Sequence, residues 1–67
     1  MSKEDVLINR LEIYRKEVKR RMEIAEEDKQ YGRYKKYNGR IKFEKYLSRL
    51  YGMNEIVEGL MEVIEDE

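Results

Sequence analysis

Two stripes of apolar residues run through this chain at helical spacing. In the first, Leu7, Leu11, Tyr14, Val18, Met22 and Ala25 recur every three or four positions. At about 100° per residue they keep to one side of a helix. Neither Gly nor Pro interrupts residues 3–31. Ser2 stands where an N-cap belongs, with Asp5 three residues on as a weak capping box. The pattern predicts a long helix over about residues 3–31.

The second stripe is Phe43, Tyr46, Leu50, Met53, Val57, Leu60 and Ile64. Its spacing alternates strictly between three and four, which is a heptad seam. It predicts a helix over about residues 40–65. Gly52 is the one ambiguity. It either ends the helix, with Asn54 capping a new one, or is carried inside it. The seam keeps its phase through Gly52, which favours a single continuous or kinked helix at a cost of about 1 kcal/mol. Between the stripes, Gly32 and the pair Asn38-Gly39 mark a chain reversal over about residues 32–40. The intervening Arg33-Tyr34-Lys35-Lys36-Tyr37 is either a helical turn or an ordered loop. So short a connection makes the helices antiparallel neighbours. The expected fold is all-α: one domain over residues 1–67, an antiparallel helical hairpin of coiled-coil type, dimerising into a helical bundle.

Charge sharpens this picture. Lysine and arginine together number 15, as do aspartate and glutamate, so the formal net charge is zero. The signs are nevertheless segregated. Residues 31–49 hold Arg33, Lys35, Lys36, Arg40, Lys42, Lys45 and Arg49 against Glu44 alone. From residue 50 onward there are only acids: Glu55, Glu58, Glu62, Glu65, Asp66 and Glu67. Folding back near residues 34–37 sets the basic 40–49 beside the acidic Glu23, Glu26, Glu27 and Asp28. It also sets the acidic 55–62 beside Arg10, Arg15, Lys16 and Lys19. Opposite charges flanking a seam select register and orientation. Helix dipoles favour acid at N-termini, so they do not account for acid towards both C-terminal ends.

The stripes do not use up the apolar residues. Val6, Ile13, Ile24 and Tyr31 form a second line on the first helix, roughly 100° from its stripe. On the second helix Ile56, Met61 and Val63 widen the seam to nearly half the circumference. Two helices cannot bury all of this between them, and a contiguous exposed patch marks an interface. The expected protein interface is Val6, Ile13, Ile24, Met53, Ile56, Leu60 and Val63. Its occupant is a second copy of the chain, a different protein, or each in turn.

Composition narrows the chemistry. A 67-residue chain with no Cys has no disulfide and no thiolate site. With no His it also lacks the usual acid–base group near neutral pH. Small scaffolds lacking a disulfide or metal commonly gain stability by association. Glu23/Glu27 and Glu58/Glu62 recur at helical spacing but point away from the seams, as a solvated face does. Di-metal bundles pair inward-facing Glu with Glu-x-x-His, which this chain cannot supply. No Gly-rich phosphate loop is present. We expect no enzyme activity, cofactor or metal. Val6-Leu7-Ile8 is too short for a signal-peptide core, and no apolar run approaches the ~20 residues of a membrane span. A cytoplasmic setting is expected, without a membrane partner. Tyr31, Tyr34 and Tyr37 interleave with Arg33, Lys35, Lys36 and Arg40. Cations neutralise phosphates and rings stack on unpaired bases. Arg33, Tyr34, Lys35, Lys36, Tyr37 and Arg40 are therefore candidate nucleic-acid contacts, against the alternative that the rings cap the hairpin core.

The bias towards Lys, Glu, Arg, Ile and Tyr, without Cys, His, Trp or Pro, looks like that of a protein from an AT-rich or heat-adapted source. The segment Tyr37-Asn38-Gly39-Arg40-Ile41-Lys42-Phe43-Glu44-Lys45-Tyr46-Leu47 opens a second helix after a long charged first one. In this the chain resembles the short all-helical accessory proteins of bacteriophages and prophages. The resemblance implies a small protein, working in the host cytoplasm, that docks on a host protein such as a defence factor or transcription regulator. It implies a modulator or inhibitor, and it carries over no site residues.

Overall fold

Residues 2–65 are described by a computed structural model. Asp66 and Glu67 of the C-terminal acidic block lie outside the described residues. The first helix, α1, spans Lys3–Gln30. It begins on the expected cap: the Ser2 Oγ accepts a hydrogen bond from the Asp5 backbone N–H at 3.2 Å. Glu4 and Asp5 in the first turn face the positive end of the helix dipole. A short 3₁₀ turn covers Lys35–Tyr37, and α2 spans Arg40–Glu65 without a break. Gly52 lies within this helix. The two helices pack side by side in a body of 44 × 18 × 16 Å. Its long dimension is close to the ~42 Å expected of a 28-residue helix.

The end of α1 is built by glycine. Gly32 adopts φ 65°, a left-handed conformation. Its N–H donates to Lys29 C=O at 3.3 Å, and that of Arg33 donates to Asp28 C=O at 2.8 Å. These are the paired bonds of a Schellman motif. The usual apolar contact across that motif is replaced by an ion pair, with Arg33 Nη1 3.7 Å from Asp28 Oδ1. Asn38, also left-handed at φ 65°, closes the 3₁₀ turn by donating its N–H to Lys35 C=O. Gly39 follows at φ 120°, and its carbonyl accepts the Phe43 N–H.

The densest packing lies at the turn end. Ala25, Phe43, Leu47 and Leu50 form one buried cluster, with Met22, Tyr34, Tyr37, Tyr46 and Met53 against it. Phe43 is fully buried. The rings of Tyr34 and Tyr37 lie 5.0 and 4.8 Å from it, centroid to centroid. Val18, Val57 and Met61 continue the core towards the termini.

The buried seam differs in phase from the sequence stripes. On α2 Phe43, Leu47, Leu50, Val57 and Met61 are buried, Tyr46, Met53, Asn54 and Ile64 are partly buried, and Leu60 is exposed. Met61 is only 4% exposed, whereas Leu60 is 48% exposed. On α1, Ile8 and Arg15 turn inward while Leu7 and Tyr14 remain exposed. In this phase Arg15 reaches Glu58 across the groove. Asn54 occupies a seam position, and its Oδ1 is buried without a hydrogen-bond partner.

Charge pairing between the helices follows the expected antiparallel sense at one end only. Arg15 and Lys19 hold Glu58 at 2.8 and 3.4 Å. At the turn end the acids of α1 do not pair with the cations of α2. Glu27 and Asp28 take Arg33, and Asp28 takes Lys36, from the connection itself. Arg40 pairs with Glu44 inside its own helix.

Candidate protein-interaction face

A two-helix hairpin has an interhelical groove on each side, and here the two sides differ. On one side the groove is closed by polar bonds. The Arg15 guanidinium and Lys19 ammonium meet the Glu58 carboxylate, and the Tyr51 hydroxyl donates to Glu26 at 2.9 Å. Partial burial pushes the Glu58 carboxyl up, but hydrogen bonds from Lys19 and Arg15 outweigh it and hold the group below its ordinary value. The Tyr51 hydroxyl is pushed up by its bond to the Glu26 carboxylate.

The other side is open and is apolar along α2 from residue 50, while on α1 Lys3, Arg10 and Arg21 turn to it beside Leu7 and Tyr14. At about 100° per residue, Leu7 and Tyr14 on α1 and Met53 and Leu60 on α2 turn to this side, with Ile56 at its rim. Leu7 is 52% exposed, Ile56 65%. All four acids Glu55, Glu58, Glu62 and Glu65 project elsewhere, so no charge of α2 stands on this side between residues 50 and 65. Val6, Ile13 and Val63 lie further round, on the outer backs of the helices, and are exposed. The predicted interface residues thus divide. Met53 and Leu60 share the open groove with Ile56 at its rim, and Met53 also packs on the core cluster. Val6, Ile13 and Val63 stand outside it, on the outer backs of the helices. Ile24 is set apart, roughly 16 Å along α1 from Ile13. Leu7 and Tyr14, read from the sequence as seam residues, join the face instead.

The basic tyrosine-rich segment is arranged differently from a surface of free cations and rings. Tyr34 and Tyr37 are half-buried against Phe43, and Tyr37 also meets Tyr46 at 5.3 Å. Arg33, Lys36 and Arg40 are each ion-paired. Lys35 is exposed. At the centre sits Asp28, only 1% exposed. A carboxylate near a helix C-terminus opposes the dipole, and a buried one needs partners. Lys36 Nζ supplies one at 2.6 Å and the Tyr37 hydroxyl donates another hydrogen bond. The Lys36 hydrogen bond, then that of Tyr37, hold the Asp28 carboxyl below its ordinary value. Burial, followed by the bond to Asp28, pushes the Tyr37 hydroxyl up to about 12. Sequence reading set Asp28 among the acids facing the basic block 40–49 and missed this knot. The available signal was its place four residues before Gly32, with Arg33 following.

A shallow depression between Glu12, Arg15, Lys16 and Lys19 is lined by α1 alone. Among the described residues no group of three His, Cys, Asp or Glu is placed to hold a metal ion. Among the described residues no helix is long and apolar enough to cross a membrane. Comparison with protein-family models, curated proteins and solved structures finds no match to this chain.

Proposed function

We infer that this chain is a non-enzymatic protein-interaction module that acts through the open apolar groove at its terminus end. The supporting observation is the asymmetry of the two grooves. Polar bonds close one, while Leu7, Tyr14, Ile56 and Leu60 remain in water along the other. Exposed apolar surface of this continuity is a docking surface. Through such a groove the chain would act as a modulator or inhibitor by covering part of a host protein's surface. The test is affinity capture from cells with the wild-type chain and with an Ile56→Glu/Leu60→Glu variant, read by mass spectrometry. A specific protein retained by the wild type and lost by a still-helical variant supports the reading. Identical captures refute it.

A second reading, contact with nucleic acid, draws on one observation. Lys42, Lys45 and Arg49 lie along one exposed stripe of α2, and none is ion-paired among the described residues. An electrophoretic shift at about 50 mM salt that Lys42→Ala/Lys45→Ala/Arg49→Ala removes supports it, since phosphate contacts dominate binding at low salt.

A further inference from the structure

The apolar stripe and the buried seam are not the same line, and the difference has a direction. On each helix the stripe is rotated from the seam by roughly 30–50° at 100° per residue. On α1 the rotation is confined to the terminus half, where Leu7 and Tyr14 replace Ile8 and Arg15. On α2 Leu47 and Met61 are buried where the stripe has Tyr46 and Leu60, while Met53 and Asn54 are both partly buried. Both rotations are towards the same side, the open groove. A hairpin buried only against itself has no use for this offset. In a four-helix bundle each helix has two neighbours about 90° apart, and its apolar stripe points between them, near 45° from each.

We propose that the open groove is covered by a second copy of this chain, in a four-helix bundle with the two hairpins side by side and their termini at the same end. This rests on the reading of the groove as an interface and names its occupant. Area supports it. A compact protein of 8.3 kDa exposes roughly 4,600 Å² by the scaling of surface with mass, whereas this chain exposes 5668 Å². The excess of roughly 1,000 Å² matches the ~800 Å² that each partner buries in a standard interface. Charge selects the orientation. With termini at the same end, α1 of one copy runs antiparallel to α2 of the other, and Arg10 of α1 lies beside the uncharged groove side of the second copy's α2. In the reversed arrangement the basic turn end meets basic α1.

Sedimentation equilibrium of the wild-type chain tests the proposal, with Leu60→Glu on the groove and Ile13→Glu on the outer back of α1. The expected result is twice the chain mass of 8.3 kDa for wild type and Ile13→Glu, and the single mass for Leu60→Glu. A wild-type midpoint of thermal unfolding that rises with concentration is the second readout, and it holds even if Leu60→Glu fails to fold. A wild-type chain that stays at the single mass, with a concentration-independent midpoint, overturns self-association. If that monomer still captures a foreign protein through the groove, the interaction-module reading survives alone. If Leu60→Glu changes neither mass nor capture, both readings fall.

Discussion

At the scale of single residues, Asp28 is the side chain on which the turn depends. It is the one buried charged residue among those described, and it ties Lys36, Tyr37 and Arg33 to the end of α1. Its carboxyl titrates below the ordinary 3.8, so the folded state binds that proton less readily than the unfolded chain. Its contribution to stability is therefore complete above about pH 4 and is lost as pH falls through the lowered value. Circular dichroism at 222 nm followed into acid should show helix loss beginning below about pH 4. Asp28→Asn should lower stability at neutral pH and flatten that acid limb. Tyr37 carries the opposite sign. Its hydroxyl is raised from 10.0 to about 12, so its contribution is complete below pH 10 and is lost as pH rises towards 12. Phenolate absorbance near 295 nm should show a late tyrosine step near pH 12. In Asp28→Asn that late step should move down towards 10, and an unmoved step would contradict the Asp28–Tyr37 bond.

At the scale of elements, each helix is specified locally and joined by a few long-range contacts. Phe43 is the keystone of α2 because two tyrosine rings from the turn and the buried cluster close on it. Phe43→Ala should cost about 3–5 kcal/mol. That is comparable with the whole stability of a small domain, and the helical signal should collapse at 25 °C. Gly52 and Gly59 give a contrasting case. A Cβ built at either meets nothing within 4 Å, so the helix bears the entropy of glycine without a packing reason. Gly52→Ala and Gly59→Ala should each raise stability by about 1 kcal/mol in urea melts. Asn54 at a seam position is unpaired, and Asn54→Leu should add about 1–3 kcal/mol. If buried polar residues set register here as in coiled coils, the same variant should broaden its NMR signals as alternative registers become populated.

At the scale of the whole molecule, stability is uneven from end to end. The packed cluster of Ala25, Phe43, Leu47 and Leu50 lies towards the turn, and at the terminus end Val6 and Leu7 are exposed. Hydrogen exchange measured in the monomer should protect amides of residues 20–30 and 43–57 most and those of residues 3–10 least, since local opening follows buried contacts. Uniform protection would mean that the terminus end is held by more than the hairpin.

Much of this architecture was legible without coordinates because it depends on neighbours in sequence. Ser2 caps α1, Gly32 ends it, Asn38-Gly39 turns the chain, and heptad spacing carries α2 through Gly52. Each is a local backbone preference, readable from residue type and position. The tertiary structure decided the rotation of each helix about its own axis. Leu60 and Met61 are equally apolar, and so are Tyr46 and Leu47, so periodicity alone cannot choose which of each pair faces α1. That choice is made by how the two helix surfaces pack as a whole, and it brings together residues up to 43 positions apart, such as Arg15 and Glu58. In the phase adopted, part of the apolar stripe that the sequence marks for burial lines an open groove.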